Sequence, residues 1–388
     1  MDILEIVWRL FLSTGIAAMT IQEGIMLVVS FVFLYLALVK KFEPLLLVPI
    51  AFGMLLANLP NVGIMFDATA YGLPWYESGV LRLMYGGVRS SLFPVLIFLG
   101  IGAMIDFGPL LSNPSSLILA LAAQVGLYMT FIIAGVINIG GIYFTPGEAA
   151  AISIIGSADG PTTIFLATQL APHLLAPVAL AAYSYMALIP LIQPPIMRLM
   201  TTEKERKIKM SQLRKVSKAE KIVFPIFVTV ICGLLLPDIV PLLGMLMLGN
   251  LFREAGCVER LSDTSQNALC NIVTIMLGLA VGASAEGMLF LRPHTLFIIG
   301  LGLAAFMLST ATAMLGGKIL CAMTGGKINP LIGSSAVSAI PIAARVSNSE
   351  GLKADPRNFL LMHAMGPNVA GVIATAVVAG MFLVLFGN

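Results

Sequence analysis

The chain has 388 residues, 59% of them hydrophobic and only 11% charged, against about 25% charged in an ordinary soluble domain. Its mean hydropathy is +0.99 and its formal net charge +3. These values exclude a soluble globular protein and indicate an all-α polytopic membrane protein, because apolar runs of about 20 residues recur and a bilayer core takes that length of helix.

In chain order, Met1–Thr20 opens with Asp2 and Glu5 where a cleavable signal would have a basic stretch. With Trp8, Arg9 and spaced apolar residues, it reads as an interfacial amphipathic helix. Spans are predicted near 20–39, 44–58, 91–108, 116–138, 176–193, 222–248, 271–287, 294–315 and 366–386. Two further segments, Pro146–Leu170 and Asn329–Val346, are apolar yet rich in Gly, Pro and Ser. Irregular backbone is tolerated at membrane depth only against protein or a watery cavity. Both therefore read as broken or re-entrant helices, bringing the count to nine to eleven spans. The four cysteines, Cys232, Cys257, Cys270 and Cys321, form no CxxC pair and read as small apolar side chains, not as zinc ligands or a disulfide.

The charge is concentrated in Arg198–Lys221, with nine Lys/Arg against three Glu. The positive-inside rule makes this loop cytoplasmic. Without interleaved aromatics it is no nucleic-acid arm; anionic lipid or a soluble subunit is the partner its charge suits. The halves echo each other. LGIGAMIDF at Leu99–Phe107 aligns with LAVGASAEG at Leu279–Gly287, and Leu166–Met186 with Leu361–Met381. The organisation expected is an N-terminal helix and scaffold spans (1–90), a first repeat (91–197), a basic loop with linker span and polar connector (198–270), and a second, inverted repeat (271–388). Inverted repeats with interrupted helices are a transporter signature.

Asp159, in IIGSADGPTTIFLA, is the carboxylate best placed inside the membrane, at an insertion cost of about 2.5–3.5 kcal/mol. Ser153, Ser157, Thr162 and Thr163 offer hydroxyl oxygens, while Gly156, Gly160 and Pro161 interrupt the helix. Hard cations take oxygen ligands of this kind, and a buried carboxyl otherwise takes a proton. The segment thus offers either a sodium site or a proton site. In the second segment Asn329, Gly333 and Ser338 are the corresponding polar and helix-breaking residues. Arg345 suits an anion or a carboxylate partner, or reaches for headgroups. Gly366-Pro367 marks a third interruption, followed by Asn368. Tyr185 either donates a hydrogen bond or sits in an aromatic belt. Asp106 and Glu286 form a symmetric pair or lie at the membrane surface. Residues alone thus describe an ion-coupled membrane transporter.

GSADGPT at Gly156–Thr162, AAYSYMALIPLIQPP at Ala181–Pro195, INPLIGSSAVSAIPIAARV at Ile328–Val346 and MHAMGPNVAGVI at Met362–Ile373 occur in that order. Together they resemble the membrane-embedded beta subunit of the sodium-translocating, biotin-dependent decarboxylases of oxaloacetate, methylmalonyl-CoA and glutaconyl-CoA. The resemblance implies that a soluble carboxyltransferase alpha subunit loads biotin on a separate carrier. The beta subunit then decarboxylates carboxybiotin, consuming a proton, while sodium leaves the cell. It further implies a bacterial cytoplasmic (inner) membrane location, a small single-span gamma- or delta-type subunit, and a homo-oligomer of the membrane subunit. Sodium is the only metal implied. Asp159, Asn329, Asn368, Ser338 and Tyr185 take the sodium-binding places, and Arg345, Tyr185 and Asp159 the catalytic ones. Gly156, Gly160, Pro161, Gly333, Gly366 and Pro367 shape the backbone. The competing expectation is a secondary transporter, either a carboxylate carrier or a sodium/proton antiporter, that catalyses nothing.

Overall fold

The computed structural model describes residues 14–138 and 141–387. The N-terminal interfacial helix expected over Met1–Thr20 therefore falls largely outside the described residues. Among those described the protein is helical, without strands. The principal helices are α1 (Ile21–Leu38), α2 (Pro44–Ala57), α3 (Val80–Arg89), α4 (Leu92–Met104), α5 (Ser116–Val136), α6 (Pro146–Ser153) and α7 (Gly160–Leu170). They continue with α8 (Leu175–Met200), α9 (Lys218–Leu235), α10 (Val240–Ala255), α11 (Cys270–Ala283), α12 (Pro293–Met323), α13 (Ile342–Ala354) and α14 (Leu361–Phe386).

Six helices among the described residues are long and apolar enough to cross a membrane, or seven if the bent pair α3 and α4 makes one span. The remaining expected spans are shorter or interrupted. Helix α2 has 14 residues, about 21 Å at 1.5 Å per residue, which is less than a hydrocarbon core of about 30 Å.

Two expected spans are built differently. The single span at 222–248 is two helices, α9 and α10, separated by Leu236 in extended conformation and a 3-10 turn at Pro237–Ile239. Proline has no N–H to continue the ladder and disfavours a helical residue before it, so α9 ends there. Conversely, Gly366-Pro367 interrupts nothing, and α14 runs through it from Leu361 to Phe386. Gly366 instead allows close approach, since a Cβ there would lie 2.6 Å from Ser116 Oγ.

The chain divides into two compact units, one of Met1–Phe93 with Ile272–Phe297, the other of Pro94–Asn271 with Ile298–Asn388. In the first unit α2 crosses α11 at backbone contact. A Cβ on Gly53 would lie 2.3 Å from the Leu279 carbonyl oxygen, and one on Gly282 1.9 Å from that of Ile50. Beside the crossing, the Asn58 amide donates to the Ala285 carbonyl (2.9 Å). In the second unit α4 crosses α10 in the same manner. A Cβ on Gly102 would lie 1.9 Å from the Leu246 oxygen and one on Gly249 2.0 Å from that of Leu99, with Asn250 donating to Ile105 (2.9 Å). Helices in lipid gain little from hydrophobic burial and associate by such close packing of small residues. Each helical pair then closes its exposed carbonyl with an asparagine.

The second unit holds the larger core, where Leu127, Ile154, Leu166, Leu243, Val369 and Phe382 pack together. Its outward faces stay apolar, as with Leu121, Val125, Ile132 and Val136 on α5.

Gly102→Val places side-chain atoms on the Leu246 carbonyl. It should destabilise the protein by about 1–3 kcal/mol, the usual cost of overpacking, read as a lower melting temperature in detergent. Gly300→Ala, which meets nothing within 4 Å, should leave that temperature unchanged.

Candidate functional site

The first broken segment begins at α6, whose N-terminus is closed by a capping box between Thr145 and Glu148. The helix tightens to a 3-10 turn at Ile154–Ser157 and stops at Ala158, which is left-handed at φ 53°. Asp159 then caps α7, its Oδ1 accepting from the Thr162 N–H (3.1 Å). Pro161 fits the first turn because its missing N–H would be unpaired there anyway. Gly156 lies against α12, where a Cβ would come 2.8 Å from the Ala305 carbonyl, and the bare face of Gly160 carries the Tyr183 ring, with Cε1 at 2.4 Å from its ideal Cβ.

Most hydroxyls of this segment are spent locally. Ser153, Ser157 and Thr163 donate to the carbonyls of Ala150, Ile154 and Asp159. Three oxygens remain buried without a partner, namely Asp159 Oδ2, Thr162 Oγ1 and the Tyr183 hydroxyl. Asp159 is 5% exposed and Tyr183 1%. Burial of an unpaired carboxylate oxygen costs free energy unless a cation or a proton meets it. These oxygens are of the type a hard cation takes.

The second broken segment packs on the same helix, because a Cβ on Gly333 would lie 2.4 Å from the Ala313 carbonyl, eight residues beyond Ala305 on α12. It runs as a 3-10 helix, Pro330–Ala336, and opens into extended backbone at Val337. There the two breaks touch, with the Ser338 N–H donating to the Ser157 carbonyl at 2.8 Å. The Ser338 hydroxyl shares a hydrogen bond with Thr375 (2.8 Å). Asn368, on α14, donates to the carbonyls of Ser335 (2.9 Å) and Val337 (2.7 Å), and its Oδ1 is buried and unpartnered. The structure thus brings Asp159, Ser338 and Asn368 to the meeting breaks, together with Thr162, Tyr183 and Thr375.

Three expected site residues lie elsewhere. Asn329 caps the 3-10 helix through Oδ1 to the Leu331 N–H (2.9 Å). Its amide donates to the carbonyls of Arg206 (3.0 Å) and Ile208 (2.8 Å) in the basic loop. Asn358 donates to the same Arg206 carbonyl (2.8 Å), so two asparagines hold the loop against this segment. Tyr185 donates its hydroxyl to the Ile299 carbonyl, tying α8 to α12. The motif AAYSYM offered two tyrosines, and residues two apart face different sides of a helix. Only the tertiary packing turns Tyr183 toward Gly160. Arg345 is exposed on α13, and its side chain has no ion-pair or hydrogen-bond partner among the described residues. Asp106 pairs with Lys221 (2.7 Å), a residue of its own unit.

An ion pair on the buried Glu350 is one that sequence reasoning missed. Arg198, at the end of α8, makes a bidentate contact to Glu350 (2.7 and 2.9 Å), and Lys353 adds a third bond (2.7 Å). Glu350 is 3% exposed. Burial works against its charge, but the Arg198 and Lys353 hydrogen bonds outweigh this and hold its pKa below the ordinary 4.5.

A multi-pass helical protein with a buried, unpartnered carboxylate oxygen where two interrupted helices touch has the build of a membrane ion-translocating protein. Comparison with known proteins specifies it further. Residues 22–386 match the family described as the Na+-transporting oxaloacetate decarboxylase beta subunit, and the chain belongs to that family. It is 55% identical over 398 residues to the methylmalonyl-CoA decarboxylase subunit beta of Propionigenium modestum, covering 99% of this chain and 100% of that one. It is 55% identical over 376 residues to the glutaconyl-CoA decarboxylase subunit beta of Acidaminococcus fermentans (97% and 96% covered). The oxaloacetate decarboxylase beta chain of Klebsiella pneumoniae is 51% identical over 416 residues (95% and 96% covered). The protein is therefore a membrane-embedded decarboxylase subunit of a multi-subunit, sodium-transporting complex.

Because the folded pKa of Glu350 is depressed, its pairing stabilises the protein fully above the unfolded value and loses that effect as pH falls through the lower folded value. Melting curves should show wild type approaching Glu350→Gln in stability below about pH 4.5 and exceeding it at neutral pH. Removing one end of the loop fastening with Asn329→Ala should speed tryptic cleavage at Lys207 and Lys209, and Asn358→Ala should do the same.

Proposed function

We propose that this chain decarboxylates carboxybiotin delivered by a soluble carboxyltransferase and uses the reaction to move sodium outward. The observation that carries the reading is Asp159 Oδ2, a buried carboxylate oxygen without a partner in the break that meets the second broken segment. Sodium is the cargo that would complete them. It would meet Asp159, Thr162 and Tyr183, with Asn368 Oδ1 and the Ser338–Thr375 hydroxyls at a neighbouring position. A cation there neutralises the carboxylate, which otherwise stands in the membrane at an insertion cost of about 2.5–3.5 kcal/mol. Moving one such charge against the membrane potential costs about 2.3 kcal/mol per 100 mV, so a driving reaction is required.

That reaction supplies carbon dioxide and takes up a proton. The C–N bond of the carboxybiotin carbamate breaks, its electron pair stays on the ureido nitrogen, and the nitrogen takes a proton. Arg345, a free cation on the helix that follows the second break, would hold the carboxyl group until it leaves. The two interrupted segments belong to repeated halves that we read as inverted, so that a change in which half opens would present the site to the other side. On this reading the complex resides in a bacterial cytoplasmic membrane with loop 198–221 on the cytoplasmic side. A biotin carrier, a small single-span subunit and further copies of this chain would be its partners.

In the purified complex, Asp159→Asn should abolish both sodium-dependent turnover of carboxybiotin and sodium uptake by inverted vesicles. Full activity in that variant would remove Asp159 from the site. Tyr183→Phe, which deletes only the hydroxyl, should raise the sodium concentration at half-maximal rate about tenfold, equivalent to about 1.4 kcal/mol of lost ligand interaction.

A further inference from the structure

A cavity of about 570 Å3 lies in the second unit between the basic loop, the turn after α4 and the start of α14. Its size is that of a small-molecule site. The lining is divided by chemistry. Arg214, Lys215 and Lys221 contribute positive charge, and Phe359 and Met362 an exposed apolar wall. Ser112 and His363 also line it, and the sealed atoms Ser112 Oγ and His363 Nδ1 have no hydrogen-bond partner among the described residues.

The cations differ in what they already hold. Arg214 is paired with Glu220 (2.8 Å) and donates to the Leu111 carbonyl (2.9 Å). Lys221 is paired with Asp106 (2.7 Å). Among the described residues Lys215 has no carboxylate partner. The cavity thus combines one uncommitted cation, an apolar wall and two lining residues, Ser112 and His363, that each keep an unpaired polar atom just beneath its surface, with the loop cations on its rim open to water. Its position also joins it to the breaks. His363 precedes Ala364, whose carbonyl accepts the Ser335 hydroxyl of the second broken segment (2.8 Å).

We propose that this cavity is the arrival site for the biotinyl head, a ring bearing a polar urea and a carboxylate. The inference rests on the functional reading above and adds a location to it. Lys215 meets the carboxylate, Ser112 and His363 meet the uncharged urea, and Phe359 and Met362 cover the apolar ring. A swinging carrier then needs no opening into the bilayer, because the head is captured at the cytoplasmic loop before its carboxyl group passes to Arg345.

The test uses the assembled decarboxylase with free N-carboxybiotin as probe. Lys215→Glu should raise KM for it about tenfold, the loss of one charge-assisted contact of about 1.4 kcal/mol, while the sodium dependence stays as in wild type. An unchanged KM would overturn the proposal. A charge reversal can also disturb the loop, so a second measurement fixes the place. Ser112→Cys, in a Cys257→Ser background, introduces a thiol whose reaction with a maleimide should slow several-fold in saturating free biotin. Lack of protection would overturn the proposal, and so would protection by anionic phospholipid vesicles without protection by biotin, which assigns the cavity to headgroups. Wild-type complex that fails to consume carboxybiotin would instead sink the functional reading itself. Normal wild-type turnover with neither effect sinks only this site.

Discussion

The structure depends on one constraint: a carboxyl group inside a membrane protein with one oxygen left unpaired. The Asp159 carboxyl accepts from the N–H of Thr162 through Oδ1, and its second oxygen is sealed from water without a partner among the described residues. In an apolar interior such a group is tolerated only in company with a cation or a proton. The surrounding architecture keeps that position available. Ser153, Ser157 and Thr163 direct their hydroxyl protons to nearby carbonyls, so the break remains satisfied without consuming the free carboxylate oxygen.

Holding two broken helices in register takes backbone contact. Gly156 and Gly333 set both segments on α12 at Ala305 and Ala313, and a Cβ at either glycine would enter a carbonyl's space. The breaks then reach each other through a main-chain bond from Ser338 to Ser157. Gly371 brings α14 equally close to Ala336, and Asn368 caps the carbonyls that the extended stretch leaves open. Every polar backbone group in lipid needs a partner, and the asparagines at 58, 250, 329 and 368 supply one to the carbonyls of Ala285, Ile105, Arg206 and Ser335.

Charge is arranged by access to water. The basic loop is fastened to the second broken segment by Asn329 and Asn358, by Lys209 to Asp355 (3.0 Å), and at its root by Arg198 to Glu350. The loop thus meets the break through short hydrogen bonds rather than across a flexible linker.

Composition and local pattern were enough to establish a helical membrane protein, to place Asp159 in an interrupted helix, and to put the basic loop beside water. Each follows from rules that act along the chain: apolar length, Gly-Pro breaks and clustered Lys/Arg. The long helices were legible for the same reason, whereas the split at Pro237 and the unbroken run through Pro367 were not, because a proline's effect depends on whether neighbouring groups take up the freed carbonyl. The motifs were also enough to mark the family. Which atoms face each other was decided only in three dimensions. Tyr183 rather than Tyr185 packs its ring on the first broken segment, because Gly160 leaves space for it. Asn329 meets the loop because the fold returns residues 206–208 to its side. Arg198 finds Glu350 across 152 residues of chain. Contacts that distant leave no local periodicity to read, so the sequence names the chemistry of the site while the tertiary structure selects its members.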